Sequence, residues 1–441
     1  MRYALTLWVA GSLAWAQDRP PLQLTLKRAV EIATSPEGSA QIQVSGETLK
    51  QAGLRSKQAR AALLPDVESA FSYQDRTANL AAMGISLAHL PFPGVSFPTF
   101  VGPFTTMDAR VSGNQSVLDL SSIRKYQASK VNVRVARSDS ETSAEQVAAV
   151  VARAYLAAVK ADTDVDTAQA NIMLSQAVLT QAQNQKDAGT GTGIEITRAR
   201  VQLANDQQHL LESQNARRSA HLRLLRAMNL RLDTQTELTD KLQYVPVDAV
   251  TLEQARQRAL EERPDYKAQQ QREDNARLMA SSTRMERLPS LAAFGDYGSS
   301  GSGLGNSMPT RTYGISLKVP LWDGARRDAR RAEAESQMRA ETIKSNDLRD
   351  QIELDVRLAL DALSSAQDEV KVAKDGLDLA ESELAQARRR YEAGVSDSLE
   401  VTDAQTRLER ARDNQTAALY NYNVARIDLA QSMGTVRQTI Q

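Results

Sequence analysis

The 441-residue chain contains no cysteine and only three histidines, and these absences exclude several kinds of site. Without cysteine the chain can form no disulfide and no thiolate nucleophile, and it offers no residue for an N-terminal lipid anchor. His89, His209 and His221 are scattered along the sequence without the spacing of metal ligands. No carboxylate pair or Ser/His/Asp arrangement suggests a catalytic pocket. We therefore expect no metal, no cofactor and no enzyme activity.

The chain also lacks an excess of either charge and has no long apolar run after its first residues. Its 54 Lys and Arg balance 54 Asp and Glu, so nothing indicates nucleic-acid binding. An apolar run from Tyr3 to Leu13, followed by a small-x-small motif that ends at Ala16, predicts a signal peptide over residues 1–16. Beyond it, no stretch approaches the roughly 18 apolar residues of a membrane-spanning helix. Any membrane crossing must therefore use strands.

The sequence contains two related copies of one pattern. The segment AGTGTGIEITRA (188–199) has an echo, AGVSDSLEVTDA (393–404), at an offset of 205 residues. Other motifs occur in the same order in both copies: TLKRAVEIA and TLEQARQRA, then Leu-Pro, then VLD and LWD. The sequence thus predicts structural repeats over residues 22–230 and 248–435, joined by a linker at 231–247.

Each repeat contains a long segment with the period of a coiled coil. Alternate steps of four and three from Ile352 to Tyr391 meet only apolar residues, and the same register from Val147 to Lys186 meets ten in twelve. Proline is absent from both segments, so each helix would reach roughly 100 Å. A second helix returns after each glycine turn, which predicts helical hairpins at about 120–229 and 325–434.

A pair of strands with alternating polar and apolar residues precedes each hairpin. We predict strands at about 66–76 and 106–118 in the first repeat, and at about 289–297 and 311–321 in the second. Strands of about ten residues suit a tilted crossing of a bilayer, although a half-buried soluble sheet shows the same alternation. Four strands cannot close a barrel, so several chains would have to contribute. The strand pattern does not decide between a barrel of eight strands from two chains and a barrel of twelve strands from three chains.

The glycines of AGTGTG raise the question of a phosphate-binding loop. Such a loop follows a buried strand, whereas a long helix leads into this one. We expect a helix–helix turn in which a glycine ends one helix and a capping residue starts the next. A phosphate-binding enzyme is therefore the least favoured of the possible functions.

In this order, and twice over, the motifs resemble those of the TolC-like outer membrane efflux proteins. The resemblance rests on TLKRAVEIA, the ARAALLP lead into the first strand, VPLWDG (319–324) and RRRYEAGVSDSLEVTDAQTRL (388–408). It implies a mainly α fold with a β-barrel part, in which a homotrimer forms a 12-stranded β-barrel continued by a 12-helix α-barrel, with a small mixed equatorial region.

The resemblance also implies a function. The trimer would be a passive exit duct of a tripartite efflux or type I secretion system, placed in outer membrane lipid and extending into the periplasm. A periplasmic adaptor protein would open its tip and connect it to an inner-membrane transporter. The exported substrate and the class of transporter stay open. The alternative from another class is a soluble periplasmic coiled-coil scaffold, against which the alternating strands argue.

Particular residues acquire roles from the same resemblance. It implies an acidic gate ring at Glu400 and Asp403 and a tip latch that involves Tyr391 and Glu195. An arginine that is common in the family two residues after the second glycine turn is Ser396 here. Acids in the first turn of a helix are also favoured by the helix dipole alone. Contact with the adaptor is expected at the glycines of the two tip turns: Gly189, Gly191, Gly193 and Gly394.

Overall fold

The structure is a computed structural model that describes residues 21–84, 100–247 and 250–440. The predicted signal peptide lies outside these residues, and so do residues 91–99 of the segment PFPGVSFPTFVGPF (91–104), whose prolines and glycines predict a long loop between the first two strands. None of the described helices combines the length and the apolarity that a bilayer crossing requires.

Within the described residues, both repeats have one order of elements: a short strand, two helices, two long strands and two long helices. The first contains β1 (Leu22–Leu24), α1 (Leu26–Thr34), α2 (Ala40–Ala61), β2 (Asp66–Asn79), β3 (Phe100–Leu118), α3 (Leu120–Asp187) and α4 (Gly193–Ala227). The second contains β4 (Thr236–Leu238), α5 (Leu252–Glu262), α6 (Pro264–Met285), β5 (Ser290–Gly301), β6 (Met308–Lys318), α7 (Arg326–Glu392) and α8 (Ser398–Ser432), followed by α9 (Val436–Ile440).

The stretch 231–247, predicted as a linker, contains an element of the repeat. Strand β4 pairs in parallel with β1, from Leu22 opposite Thr236 to Leu24 opposite Leu238. Three-residue strands leave no periodic signal, so only the pairing reveals them. The beginnings of the two repeats are thereby joined to each other.

The long strands also differ from their predicted bounds. Strand β3 begins at Phe100, inside the segment that was expected to be a loop, because its pairing with β2 continues past a register shift between Arg76 and Ala78. Strand β6 ends at Lys318 instead of about residue 321. Pro320 follows closely and has no N–H to donate to a ladder. Sequence alternation reports neither the bulge nor the pairing partner.

The chain divides into two compact units that do not coincide with the repeats. One unit comprises the residues up to Gln43 together with Ser143–Ala259 and the residues from Leu354 onward. The other comprises Val44–Thr142 and Leu260–Glu353. Both repeats therefore contribute to both units.

The second unit contains an antiparallel sheet in the order β2-β3-β5-β6. Directly paired residues share a face of a sheet, so the register assigns each side chain to one of two faces. One face carries large apolar side chains that are exposed in the single chain: Val67, Phe71, Tyr73, Val111, Tyr297, Tyr313, Ile315 and Leu317. The opposite face is polar, with Glu68, Asp108, Arg110, Asp296, Thr312 and Lys318.

A charged network ties three strands together on the polar face. Arg110 of β3 donates to Asp108 Oδ2 at 3.0 Å and to Asp296 of β5. It also donates to the hydroxyl of Thr310 on β6 at 3.3 Å. The sheet therefore separates a hydrogen-bonding face from an apolar one.

The predicted coiled-coil seam is the core of the long helices. Of the twelve predicted α7 positions, all except Ala373 and Leu377 are buried. In α3 the side chain of Tyr155 is fully buried, and its single hydroxyl proton is shared between the carbonyl of Leu24 at 2.8 Å and Asp240 Oδ2 at 3.0 Å. The burial of these seam positions confirms the coiled-coil prediction, and the alanines among them allow close helix packing.

The apolar sheet face can be tested by adding a charge. Ile315→Lys would place an ammonium group on a residue that is 72% exposed on this face. If the face contacts lipid, we expect the free energy of unfolding from vesicles to fall by about 2–4 kcal/mol in urea titrations. Ser316→Lys adds the same group to the adjacent residue on the polar face and should cost much less. Equal costs for both variants would contradict lipid contact at the apolar face.

Candidate functional site at the helical hairpin tips

The two predicted tip turns have the same backbone hydrogen bonds. After α3, the N–H of Gly189 donates to the carbonyl of Lys186 at 2.9 Å, and the N–H of Thr190 to that of Gln185 at 2.9 Å. After α7, Gly394 donates to the carbonyl of Tyr391 at 3.1 Å. Val395 completes the pair by donating to Arg390 at 3.0 Å. Both are Schellman turns, and a helix leads into each of them.

The four glycines of the tip turns differ in how strongly the backbone conformation and the surrounding space require glycine. Gly189 and Gly394 have φ of +75° and +68°, a conformation that other residues adopt at a cost. Gly191 packs against the end of α3, where an added Cβ would lie 2.9 Å from the Lys186 nitrogen. Gly193 has open space around it and begins α4.

The helices that leave the turns begin with side-chain caps. The N–H of Thr192 donates to Glu195 Oε2 at 2.8 Å, so Glu195 serves its own turn. At the second tip, Asp397 Oδ1 accepts from the N–H groups of Leu399 and Glu400 at 3.1 and 3.3 Å. These contacts satisfy amide groups that a helix start leaves unpaired.

The two hairpins pack against each other near their tips. A buried apolar cluster combines residues of α3 and α4 with residues of α7 and α8: Val178, Leu179, Ala199, Ala380, Leu384, Ala387, Tyr391, Val401, Ala404 and Leu408. Burial, together with the charges of Glu195 and Asp397, raises the pKa of Tyr391. The structure therefore brings the predicted latch residues Tyr391 and Glu195 into the same neighbourhood.

The latch hydrogen bond itself is not formed within the chain. The Tyr391 hydroxyl is buried and, among the described residues, has no hydrogen-bond partner. Glu195 is held by the Thr192 amide instead. The role of both residues in a latch remains a prediction.

The two predicted gate carboxylates differ in their surroundings. Glu400 Oε1 lies 3.2 Å from Nε of Arg390 in the last turn of α7. Asp403 is exposed almost one turn further along α8. Arg390 is not among the site residues predicted from the sequence. The signal available was the run of three arginines before Tyr391, because a tight helix–helix turn brings the end of α7 beside the start of α8.

A polar cavity of about 320 Å³ lies between α3, α4 and α8, further along the hairpins. Gln202 Nε2 donates to Asp206 Oδ1 at 2.9 Å and to Glu409 Oε1 at 3.4 Å, so one amide bridges carboxylates of two helices. Burial and the charges of Asp206 and Asp413 raise the pKa of Glu409 to about 7. The described residues contain no group of three or more His, Cys, Asp or Glu that could hold a metal ion.

Comparison with known proteins matches most of both repeats. A family model described as outer membrane efflux protein matches residues 36–230 and 255–435. The alkaline protease secretion protein AprF of Pseudomonas aeruginosa is 24% identical over 323 residues, which cover 71% of this chain and 67% of AprF. The pyoverdine export outer membrane protein OpmQ of Pseudomonas putida is 25% identical over 338 residues, which cover 75% of this chain and 71% of OpmQ.

Solved structures share the fold over nearly the whole chain. The CmeC outer membrane channel of Campylobacter jejuni matches with a TM-score of 0.78 at 14% identity, covering 99% of this chain and 94% of CmeC. The outer membrane protein VceC of Vibrio cholerae matches with a TM-score of 0.76 at 16% identity, covering 93% and 96%. These matches confirm the predicted fold class, with long helices and a smaller β part.

The conformation of the second turn can be tested by Gly394→Ala. A Cβ at φ +68° is strained, so we expect a loss of about 1–2 kcal/mol in the free energy of unfolding, measured by chemical denaturation. Gly193→Ala makes the same change where space is open, and it should leave stability unchanged or slightly raised. Equal losses in both variants would contradict this account of the turn.

The buried carboxylate predicts a pH dependence. The pKa of Glu409 rises from 4.5 to about 7, so between these values the folded protein holds a proton that the unfolded chain releases. Stability should therefore fall as pH rises through this window. Glu409→Gln should lessen the fall in the thermal unfolding midpoint between pH 5 and pH 8 by about 2–4 °C.

Glu381→Gln removes the same charge from an exposed position of α7 and serves as the control. An identical pH slope in Glu409→Gln and the wild-type protein would contradict the assignment.

Proposed function

Because the chain belongs to the outer membrane efflux protein family and is an outer membrane exit duct, we propose that it works as a passive homotrimer opened at its periplasmic tip by partner proteins. The observation that carries the proposal is the four-stranded sheet, one face of which carries eight large exposed apolar side chains and whose outer strands are β2 and β6. Sheet edges are not tolerated in hydrocarbon, so neighbouring chains must pair with these edges. Three chains give twelve strands and leave a lumen, whereas eight strands would be nearly filled by side chains.

The family is one of export channels rather than enzymes, and we propose no catalytic activity for this chain. The glycine-rich turn offers no support for a phosphate site, since α3 and not a strand leads into it. A soluble periplasmic scaffold is not favoured, because the family resides in the outer membrane.

The names of the two relatives describe secretion of a protease and export of pyoverdine. They support a role in a tripartite efflux or type I secretion system, with the cargo undecided between proteins and smaller compounds. In either system a periplasmic adaptor would contact the exposed turns at Gly189 and Gly394 and link the duct to an inner-membrane transporter. Cross-linking from residues placed in these two turns would identify the adaptor.

The gate of the proposed duct consists of Glu400 and Asp403. Both lie in the first turns of α8, beside the tip turn, and both reach solvent. Three chains would bring six carboxylates to one constriction, where they attract cations. This arrangement would give the closed tip a preference for cations and a sensitivity to divalent ions.

The proposal is tested by neutralising the gate in purified protein. Native mass spectrometry should find three copies, and Glu400→Gln with Asp403→Asn should weaken block by Mg²⁺ severalfold in planar bilayers, because the carboxylates that bind the ion are gone. Asp378→Asn with Glu381→Gln makes a matched change with the same three-residue spacing on exposed positions of α7. Block that is unchanged in the gate variant, or equally weakened in the control, would refute the gate assignment.

A further inference from the structure

One ion pair at the second tip places a positive charge beside the proposed acidic gate. Arg390 Nε lies 3.2 Å from Glu400 Oε1, and the two side chains are 59% and 40% exposed. At this exposure the pair adds little to stability, but it reaches the solution through which ions would pass. The inference drawn from it rests on the proposed function, since it concerns the charge of the same gate.

The backbone holds both members of the pair in place. The carbonyl of Arg390 accepts the N–H of Val395 within the Schellman turn. The N–H of Glu400 donates to Asp397 in the cap of α8. Two residues ten positions apart are thereby fixed on adjoining helix turns, where a guanidinium and a carboxylate can meet.

The first repeat shows that the turn does not need this arginine. At the offset of 205 residues, Arg390 corresponds to Gln185 and Glu400 to Glu195. The first turn has the same backbone hydrogen bonds with a glutamine at this position. Its glutamate is engaged by the Thr192 amide at 2.8 Å and not by a cation. The arginine is therefore a feature of the second tip alone, which is the tip that carries the gate.

Asp403 lacks such compensation. It is exposed, and within the described part of the chain it has no ion-pair partner. Its counterpart in the first repeat is Arg198, so the carboxylate is also specific to the second tip. The two gate acids thus differ: one has a guanidinium beside it and the other faces solvent alone.

We infer that Arg390 sets the charge of the gate by neutralising Glu400, so that Asp403 supplies the attraction for cations. In a trimer the constriction would then carry three uncompensated carboxylates rather than six. Opposite charges within a few ångströms cancel most of each other's field at longer range, which is why the pair would contribute little to ion selectivity. If Arg390 only interacted with the helix dipole at the C-terminus of α7, its replacement would change stability and leave ion selectivity unchanged.

The inference is tested by reversal potentials and Mg²⁺ block of purified trimers in planar bilayers. Arg390→Gln should raise cation preference and tighten block by about fivefold, because Glu400 is then unpaired. Asp403→Asn should weaken both. Arg390→Gln combined with Glu400→Gln removes the whole pair and should return both quantities close to those of the wild-type protein. Arg390→Lys keeps the charge and should behave as the wild-type protein does.

The matched control is Arg389→Gln, which removes an equal charge from the adjacent exposed residue of the same helical turn. Equal effects of Arg390→Gln and Arg389→Gln would overturn the inference. So would a loss of cation preference in the pair-removal variant as large as that in Asp403→Asn. Native mass spectrometry that finds no trimer would overturn the proposed homotrimer and this inference with it.

Discussion

Hydrocarbon cannot hydrogen-bond a peptide group, and the architecture of this chain depends on that constraint. The sheet exposes an apolar face, yet its outer strands β2 and β6 have unpaired edges in the part of the chain that the structure describes. A single copy is therefore incomplete as a membrane structure, and association must supply the missing ladders. On the polar face, Arg110 bonds to side chains of three strands. These polar groups therefore satisfy one another and do not depend on water in the lumen. Membrane insertion and assembly are in this sense one requirement.

Duplication of one sequence pattern provides the strands and helical hairpins that this assembly uses. The short strands β1 and β4 pair the beginnings of the two repeats, and the tip turns share their hydrogen bonds at the 205-residue offset. The ends of α4 and α8 repeat the same turn once more, with Asn229 at φ +58° in the first copy and Gly434 at φ +71° in the second. Both residue types tolerate this conformation, so the backbone is preserved while the residue changes. Positions where the side chains differ in charge then distinguish the two copies.

The sequence predicted the elements whose signal is local and periodic. The α7 seam, the strand pairs and the helix–helix turns all follow from spacing within one segment. The extension of β3 to Phe100, the strand β4 and the ion pair of Arg390 depend on partners distant in sequence or across a turn, and no period reports them. At the candidate site, the positions of Glu400 and Asp403 came from a motif. The family motif does not report that the helix cap holds Glu195, but Thr192 followed by Glu195 three residues later is the local pattern of a capping box.

The tip cluster combines contacts that favour closure with groups that oppose it. Leucine, valine and alanine side chains of both hairpins bury one another, and this apolar packing draws the hairpins together. The same contact buries the Tyr391 hydroxyl, which has no hydrogen-bond partner among the described residues. Its burial costs free energy that a hydrogen bond to water would recover. Further along, burial and the charges of Asp206 and Asp413 oppose the ionisation of Glu409, although the Gln202 amide donates to its carboxylate. An interface balanced in this way can hold the hairpins together and still separate when a partner protein offers better contacts, as a gated duct requires.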